Sequence, residues 1–390
     1  MVKVFVADAH TRHALAVGRS LAKNGYEVTM GATDKSCPAF HSRHIDRTVV
    51  YPAPKERADE FIDFICDFLV AHPHDVLLHL SSSTGGVIAE NLEILSPHIA
   101  IPVPGREKYQ LADNKAKTTQ IAQAERIPVP LTYFIENFVE LENLAAEIPM
   151  PAVIKTRHGS GGDGVVFIGS RERIVPEYLR LHAQRPWPII QEYIPSSGGD
   201  FEVQVLLDGN QEIIAGFALR HVRKFPLTNG PSTYRESCSA PEMMKNAIKL
   251  LRHLGWSGFA AMDLRLDPRD QLYKLLEINP RLPASINLAI ASGIDFPSLQ
   301  IKQTLGQPPI PVIDYPIGTR SQWLFGDIYA LLSDPEQWQA WPELLPSRSK
   351  PDDILSREDP VPVFHYALKI AARFFSGSIR ERINRGRIRE

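Results

Sequence analysis

The stretch Phe259–Arg281, FAAMDLRLDPRDQLYKLLEINPR, decides how this chain is read. Met262 to Leu266 alternates apolar and polar side chains, Asp267-Pro268-Arg269-Asp270 is turn chemistry, and Leu272 to Ile278 is a second apolar run. Together they spell an antiparallel hairpin. A turn centred near Asp270 puts Asp263 opposite Glu277, with directly opposed Cβ atoms about 4.5–5.5 Å apart. Two carboxylates that close repel unless positive charge stands between them. Asn279, two residues past Glu277, points to the same face. Asp263, Glu277 and Asn279 form an all-oxygen set that suits a hard cation, Mg²⁺ or Mn²⁺. A solvated hairpin with ordinary surface acids is the other reading. Arg281 follows, a guanidinium suited to a phosphate or a carboxylate.

The 390 residues predict two or three domains. An apolar share of 44% and a charged share of 23% are those of a soluble globular chain. A net charge of −2 offers nothing for bulk nucleic-acid binding. Three scattered cysteines, Cys37, Cys66 and Cys238, make neither a metal spacing nor a disulfide framework. With no signal peptide and no membrane-length apolar run, the expected location is cytoplasmic.

The N-terminal region reads β-α-β: a strand Val2–Ala7, a helix His13–Asn24 closed by Gly25, a strand Tyr26–Ala32. That order predicts a parallel sheet. A helix over Arg57–Ala71 and a strand over Val76–Leu80 follow, then the polar run Ser81 to Gly86. This run reads either as an anion- or substrate-binding loop at a strand end or as a turn capping a helix from Val87. No GxGxxG follows the first strand, so a nicotinamide cofactor is not expected. Pro102 to Gly105 marks a boundary, after which a helix is predicted over Leu111–Ala124, with Lys115 near its start.

Pro151–Ile168, PAVIKTRHGSGGDGVVFI, is a strand ending in Lys155, a loop containing Gly159, Ser160, Gly161, Gly162 and Gly164, and a second strand. Glycine lets backbone N–H groups approach phosphate oxygens while Lys155 supplies a point charge. The alternative is a glycine-rich hairpin turn without function. It is not a Walker A loop, because no Gly-Lys-Ser/Thr opens a helix. Strands are predicted over Ile189–Ile194, Asp200–Leu207 and Glu212–Leu219. A basic cluster of Arg220, His221, Arg223 and Lys224 and a polar loop Thr228–Glu236 containing Arg235 come next. Arg220, Arg223 and Arg235 are the expected receivers of an anionic substrate. After a helix over Glu242–Leu254 and the hairpin, Leu282–Ala291 reads as helical, Lys350–Val363 as a linker or surface arm, and Phe364–Phe375 as an amphipathic helix. The tail Ser376–Glu390 carries five arginines and reads as a solvated, fraying helix or as a weak peripheral contact with anionic lipid or a partner.

Over about residues 1–310 the ordered motifs resemble the ATP-grasp superfamily. The similarity is to its carboxylate–amine ligases, and more distantly to biotin carboxylase and the carbamoyl phosphate synthetase large subunit. The resemblance implies an α/β fold in three parts. These are an N-terminal Rossmann-like domain over 1–105, an ATP-grasp domain over 106–310 with a mobile lid at about 130–190, and a C-terminal extension over 311–390 that matches nothing. It implies that Lys115 and Lys155 hold ATP phosphates under a flap at Gly159–Gly164. Gln191, Glu192, Tyr193 and Ile194 are to border adenine, and Asp200 to take the ribose. Asp263, Glu277 and Asn279 are to bind Mg²⁺, and Arg281 to stand near an acyl phosphate. Asp263 departs from the pattern, since many members carry Glu there. The implied reaction joins a small-molecule carboxylate to an amine through an acyl phosphate, releasing ADP and phosphate, in a homodimer. A bicarbonate-using carboxylase or carbamoyl-phosphate-type enzyme, a non-catalytic ATP-binding protein, and a membrane-associated module built on the basic tail are the alternatives.

Overall fold

The apolar run at the N-terminus becomes strand β1 (Lys3–Val6), and its buried side chains Val4, Phe5 and Val6 pack on both faces of a parallel sheet. With β2 (Glu27–Ala32), β3 (Arg47–Val50) and β4 (Val76–Leu78) it forms the order β3-β2-β1-β4, all pairs parallel. Helices Ala14–Lys23 and Ala58–Ala71 bury their apolar stripes against this sheet. The computed structural model describes residues 1–159, 164–226, 230–307, 309–333, 335–345 and 350–375. The flap residues Ser160, Gly161 and Gly162 and the basic tail over 376–390 lie outside these. No described helix is long and apolar enough to cross a membrane.

A second sheet holds β5 (Thr132–Phe134), β6 (Ala152–Lys155), β7 (Val165–Ile168) and β8 (Ile189–Glu192) in the order β5-β8-β6-β7, all antiparallel. It occupies the stretch expected to be a lid and has a core of its own around Ile154, Ile168, Tyr178 and Ile190.

The third sheet has six strands: β9 (Asp200–Leu207), β10 (Ile213–Lys224), β11 (Ser232–Ser237), β12 (Gly258–Leu266), β13 (Tyr273–Asn279) and β14 (Arg320–Gln322). Their order is β13-β12-β9-β10-β11-β14. Alternation decides which residues meet the core. Val203, Val205 and Leu207 of β9 and Ala260, Met262 and Leu264 of β12 pack with helix Pro241–His253. The side chains between them, Glu202, Gln204, Asp263 and Arg265, project to the opposite face.

Several local expectations change. The run Ser81–Gly86 is not a loop: Ser81 is the N-cap of helix Ser82–Glu90, accepting the Thr84 N–H, and both glycines lie inside the helix. Gly85 has no room for a side chain, since an added Cβ would stand 2.1 Å from the Tyr109 hydroxyl. The helix expected over Leu111–Ala124 is two, Arg106–Asp113 and Lys115–Ala124, broken at Asn114, whose side chain caps the second through the Ala116 and Lys117 amides. The basic cluster continues β10, and most of the supposed polar loop to Glu236 is β11; Thr228 and Asn229 lie outside the described residues.

The region after 310 is no detached appendage either. Strand β14 completes the six-stranded sheet by pairing with β11. The segment read as a surface arm buries Asp353 and Asp359. Asp359 accepts from Arg19 Nε at 2.9 Å, Ser42 Oγ at 2.7 Å and the Arg43 amide at 3.1 Å, which ties the arm to the N-terminal domain. Burial pushes the Asp359 carboxyl up, but these donors outweigh it and hold it below the usual range. Asp359→Ala is therefore expected to cost about 3 kcal/mol of stability in urea unfolding, as removing one partner of a buried pair does. Because the folded carboxyl titrates low, its contribution is present above pH ~4 and lost as pH falls through the folded value. Denaturation midpoints of wild type and Asp359→Asn should converge as the solution is acidified.

Candidate functional site

The hairpin register puts Asp263 opposite Glu277. A bulge follows at once, between Asp263 and Leu264, and strengthens the local twist. On its other side β12 pairs with β9, which sets Asp263 opposite Glu202 and Arg265 opposite Asp200. Asn279 Nδ2 lies 3.0 Å from Asp263 Oδ2 and 3.4 Å from Glu277 Oε1, so the three expected ligands converge.

Positive charge arrives from two other elements. Lys115, first residue of its helix and 7% exposed, pairs with Glu277 at 3.0 Å. Its ammonium also donates to the Gly159 carbonyl, and its amide donates to Arg157 O at 2.8 Å, so one residue pins the start of the glycine loop. Lys155 ends β6 and lines the same cavity as Asp263, Glu277 and Asn279, a space of about 400 Å³. Gly159 and Gly164 both have positive φ, 117° and 76°, and a Cβ at Gly164 would meet Thr156 Oγ1 at 2.2 Å. The loop therefore turns only with glycine at these points.

The electrostatics follow from the geometry. Burial, then the neighbouring Glu277, raises the Asp263 carboxyl well above its usual value. Burial also pushes Glu277 up, but Lys115 and Lys155 together bring it below the ordinary range. Burial lowers the Lys155 ammonium to about 8, against the pull of Glu277. These enclosed like charges and the oxygen donors fit a divalent hard cation. The Asn279 amide as placed turns its nitrogen to the acids and its oxygen to Arg281 Nη2, at 3.2 Å. Rotating the amide by half a turn gives an oxygen-only face toward the acids.

Asp200 also lines the cavity, but both its oxygens are engaged. Arg265 Nε donates at 2.6 Å and Lys224 forms the second ion pair, and against the effect of burial they hold Asp200 well below the usual carboxylate range. Gln191, Glu192, Tyr193 and Ile194 do not line the cavity. Gln191 is buried and donates to Thr132 Oγ1 at 3.0 Å; Glu192 pairs with Arg269 at 2.7 Å; the Tyr193 ring packs edge-on to Phe167; the Ile194 carbonyl accepts from Arg265 Nη1 at 2.9 Å.

The three expected substrate arginines are corrected. None lines the cavity. Strand alternation and register shifts between β10, which carries Arg220 and Arg223, and β11, which carries Arg235, send their side chains apart. Arg220 is exposed and bonded to Glu236 at 2.8 Å. Arg223 is buried against Asp327 at 2.8 Å and also pairs with Glu343. Arg235 is fully buried, on Asp353 at 2.6 Å and the Ala284 carbonyl at 2.7 Å. The cavity's guanidiniums are instead Arg12, Arg265 and Arg281.

Glu202 and His221 are the residues that reading the sequence missed. With Asp263 they bring three possible ligand atoms within 4.8 Å of one another. Glu202 accepts from Ser285 Oγ at 2.5 Å and Gln204 Nε2 at 2.6 Å, and burial raises its carboxyl. Burial lowers His221 to about 4, leaving it neutral. The signal for Glu202 was present, since it lies two residues past Asp200 on one strand face. For His221 there was none before the β9–β10 register was known.

Residues 112–309 match the family described as carbamoyl-phosphate synthase L chain, ATP binding domain, and the chain belongs to that family, within the ATP-grasp superfamily. An acetyl-CoA carboxylase of Schizosaccharomyces pombe is 25% identical over 171 residues, 42% of this chain and 8% of that protein. An arginine-specific carbamoyl phosphate synthase large chain of Halalkalibacterium halodurans is 26% identical over 251 residues, 60% of this chain and 24% of that one. The chain thus spans a quarter or less of these relatives' length. In fold it is similar to a biotin carboxylase of Campylobacter jejuni, with a TM-score of 0.67 at 18% identity over 82% of this chain and 74% of the other. It is also similar to an N5-carboxyaminoimidazole synthetase of Staphylococcus aureus complexed with ADP, with a TM-score of 0.65 at 15% identity over 88% and 87%.

If Lys155 serves the nucleotide, Lys155→Ala should weaken MgADP binding by about 10–100-fold, the worth of one charge-assisted contact. Calorimetry showing unchanged affinity in a folded variant would remove this lysine from the phosphate site.

Proposed function

We propose that this ATP-grasp chain is an ADP-forming ligase that joins a carboxylate to an amine. The observation that carries the reading is one cavity wall holding Asp263 opposite Glu277, with Lys115 at 3.0 Å from Glu277 and Lys155 and Arg281 lining the same space. A nucleoside triphosphate brings about four negative charges. Two lysines from different elements and a divalent ion on the acids are what a low-dielectric cleft needs to accept it.

The chemistry begins with a carboxylate, a poor acyl donor because its leaving group would be oxide. A carboxylate oxygen attacks the γ-phosphorus, the bond from phosphorus to the β–γ bridging oxygen breaks, and ADP leaves. The acyl phosphate carbon is then attacked by an amine nitrogen, the C–O bond to phosphate breaks, phosphate departs, and the nitrogen loses a proton. Lys115 and Lys155 hold the phosphate oxygens through both steps, and Lys155 is protonated at pH 7 because its value stays near 8. Arg281 makes no ion pair among the described residues and lines the cavity just past Asn279, where an acyl phosphate oxygen can use its forked donors. Asp263, Glu277 and Asn279 would hold Mg²⁺, which supplies charge neutralisation at the phosphates. The four-stranded sheet over the cavity excludes water that would hydrolyse the acyl phosphate. Catalysis is then positioning and charge stabilisation rather than covalent chemistry by the protein.

A second reading, with bicarbonate as the carboxylate, is favoured by the likeness to an acetyl-CoA carboxylase and a carbamoyl phosphate synthase. One experiment separates the two: ADP release with Mg²⁺ over a panel of carboxylic acids and amines, with bicarbonate among the acids. The ligase reading expects release that depends on both an organic acid and an amine. Release with bicarbonate alone would replace it. In the same assay Glu277→Gln should lower turnover by about 10²–10³, as loss of one preorganised charge contact does, with the unfolding transition preserved. Wild-type ADP release by that variant would exclude the hairpin acids from the reaction.

A further inference from the structure

One end of the cavity is left over once the nucleotide chemistry is assigned. Thr11, Arg12 and Ser81 line the cavity together with Ser232, Ala284 and Ser285. Arg12 is built in from the C-terminal region. Asp353 Oδ2 lies 3.0 Å from its Nε as an ion pair without a hydrogen bond, the Trp323 ring lies under the guanidinium at 4.2 Å, and Nη2 donates to the Ser232 carbonyl at 3.3 Å. Among the described residues Nη1 donates to nothing. Thr11 Oγ1, next along the wall, is buried with no hydrogen-bond partner.

Two guanidiniums divide one carboxylate here. Asp353, 1% exposed, serves both Arg12 and Arg235, and Arg281 has no acid of its own among the described residues. The other acids nearby are engaged. Asp8 accepts from the Leu80 and Ser81 amides and from Thr84 Oγ1, and Asp352 accepts from the amides of Leu324, Ile354 and Leu355. Glu202 is held by Ser285 and Gln204, with burial raising its carboxyl. His13 donates from Nε2 to the Leu80 carbonyl at 3.1 Å and is neutral, its value lowered by burial to about 3. An enclosed guanidinium without its own counter-charge is costly unless an anion arrives. One free guanidinium edge beside one hydroxyl matches a planar monoanion, whereas a phosphate would ask for more donors than this wall offers.

We propose that Arg12 receives the free carboxylate of the amine substrate, so that the acceptor is an amino acid. This rests on the ligase reading for the amine's role, while Arg281 attends the activated carboxyl. Asp353 and Trp323 are positioning residues: they fix the plane of the guanidinium and leave one edge open. The C-terminal region thereby sets which acceptor is used, through a contact no nucleotide makes.

The test is thermal unfolding of the full chain with each of the standard amino acids and, separately, its carboxamide, with and without MgADP. At least one amino acid is expected to raise the melting temperature while its amide does not. Arg12→Gln should weaken that amino acid about tenfold or more, the worth of one charge-assisted pair, and lose the acid-over-amide preference. The shift given by MgADP should stay. The variant is expected to fold, because Asp353 keeps Arg235. Equal shifts by acid and amide, a preference that survives in Arg12→Gln, or no shift from any amino acid would each overturn the inference. So would a preference lost in Arg281→Gln but kept in Arg12→Gln, which would move the carboxylate to Arg281. Failure of MgADP to shift the wild type, with the amino-acid shift intact, would sink the ligase reading and leave the Arg12 subsite standing.

Discussion

Asp263 and Glu277 face each other across two hydrogen-bonded strands in a buried cleft, and the architecture of the cleft follows from the repulsion between them. Unit charges about 4 Å apart interact by about 4 kcal/mol at an effective dielectric near 20, so neither acid is stable there alone. The chain answers from three directions. The Asn114 cap delivers Lys115 from a helix start, the end of β6 delivers Lys155, and the run past Asn279 delivers Arg281. Each comes from a different layer of the fold. The acids are therefore comfortable only when the layers are assembled, and under the proposed function the cavity between them is where a triphosphate and a cation would complete the charge balance.

The same logic repeats outward in buried ion pairs that join distant segments. Arg223 reaches Asp327, Arg235 and Arg12 share Asp353, and Arg19 reaches Asp359. All three acids come from beyond residue 320, and all four arginines they fix come from earlier in the chain. Buried pairs of this kind contribute little net stability against apolar replacements, but they penalise any arrangement that separates the partners. Here they hold the C-terminal region to the mouth of the cleft and add β14 to the edge of the catalytic sheet. A region with no motif thus becomes part of the site's wall.

The hairpin at 259–281 was legible because every level agreed: period-two alternation, turn residues at the right spacing, and two acids whose register follows from that spacing. The parallel N-terminal sheet was legible for the same reason, from short apolar runs separated by an amphipathic helix. The substrate arginines were not. Arg220, Arg223 and Arg235 look alike in the sequence, yet one ends exposed and two end buried on acids more than a hundred residues away. Ser81–Gly86 failed differently. Its glycines suggested a loop, but Gly85 is there because a helix passes too close to Tyr109 to allow a Cβ.

Sequence alone determined local facts: the parallel N-terminal strands, the 259–281 hairpin, the glycine turn after Lys155, and that Asp263, Glu277 and Asn279 share a face. These depend on spacings of two to fourteen residues, within reach of backbone periodicity. Only the tertiary structure decided which cations look into the cavity, that Asp200 is held by Lys224 and Arg265, and that Glu202 and His221 stand beside Asp263. Those outcomes depend on the pairing of β9 with β10 and β12 and on contacts such as that of Asp359 with Arg19. Contacts between segments that far apart are set by the competition of whole layers for burial, and no local pattern in the chain records the result.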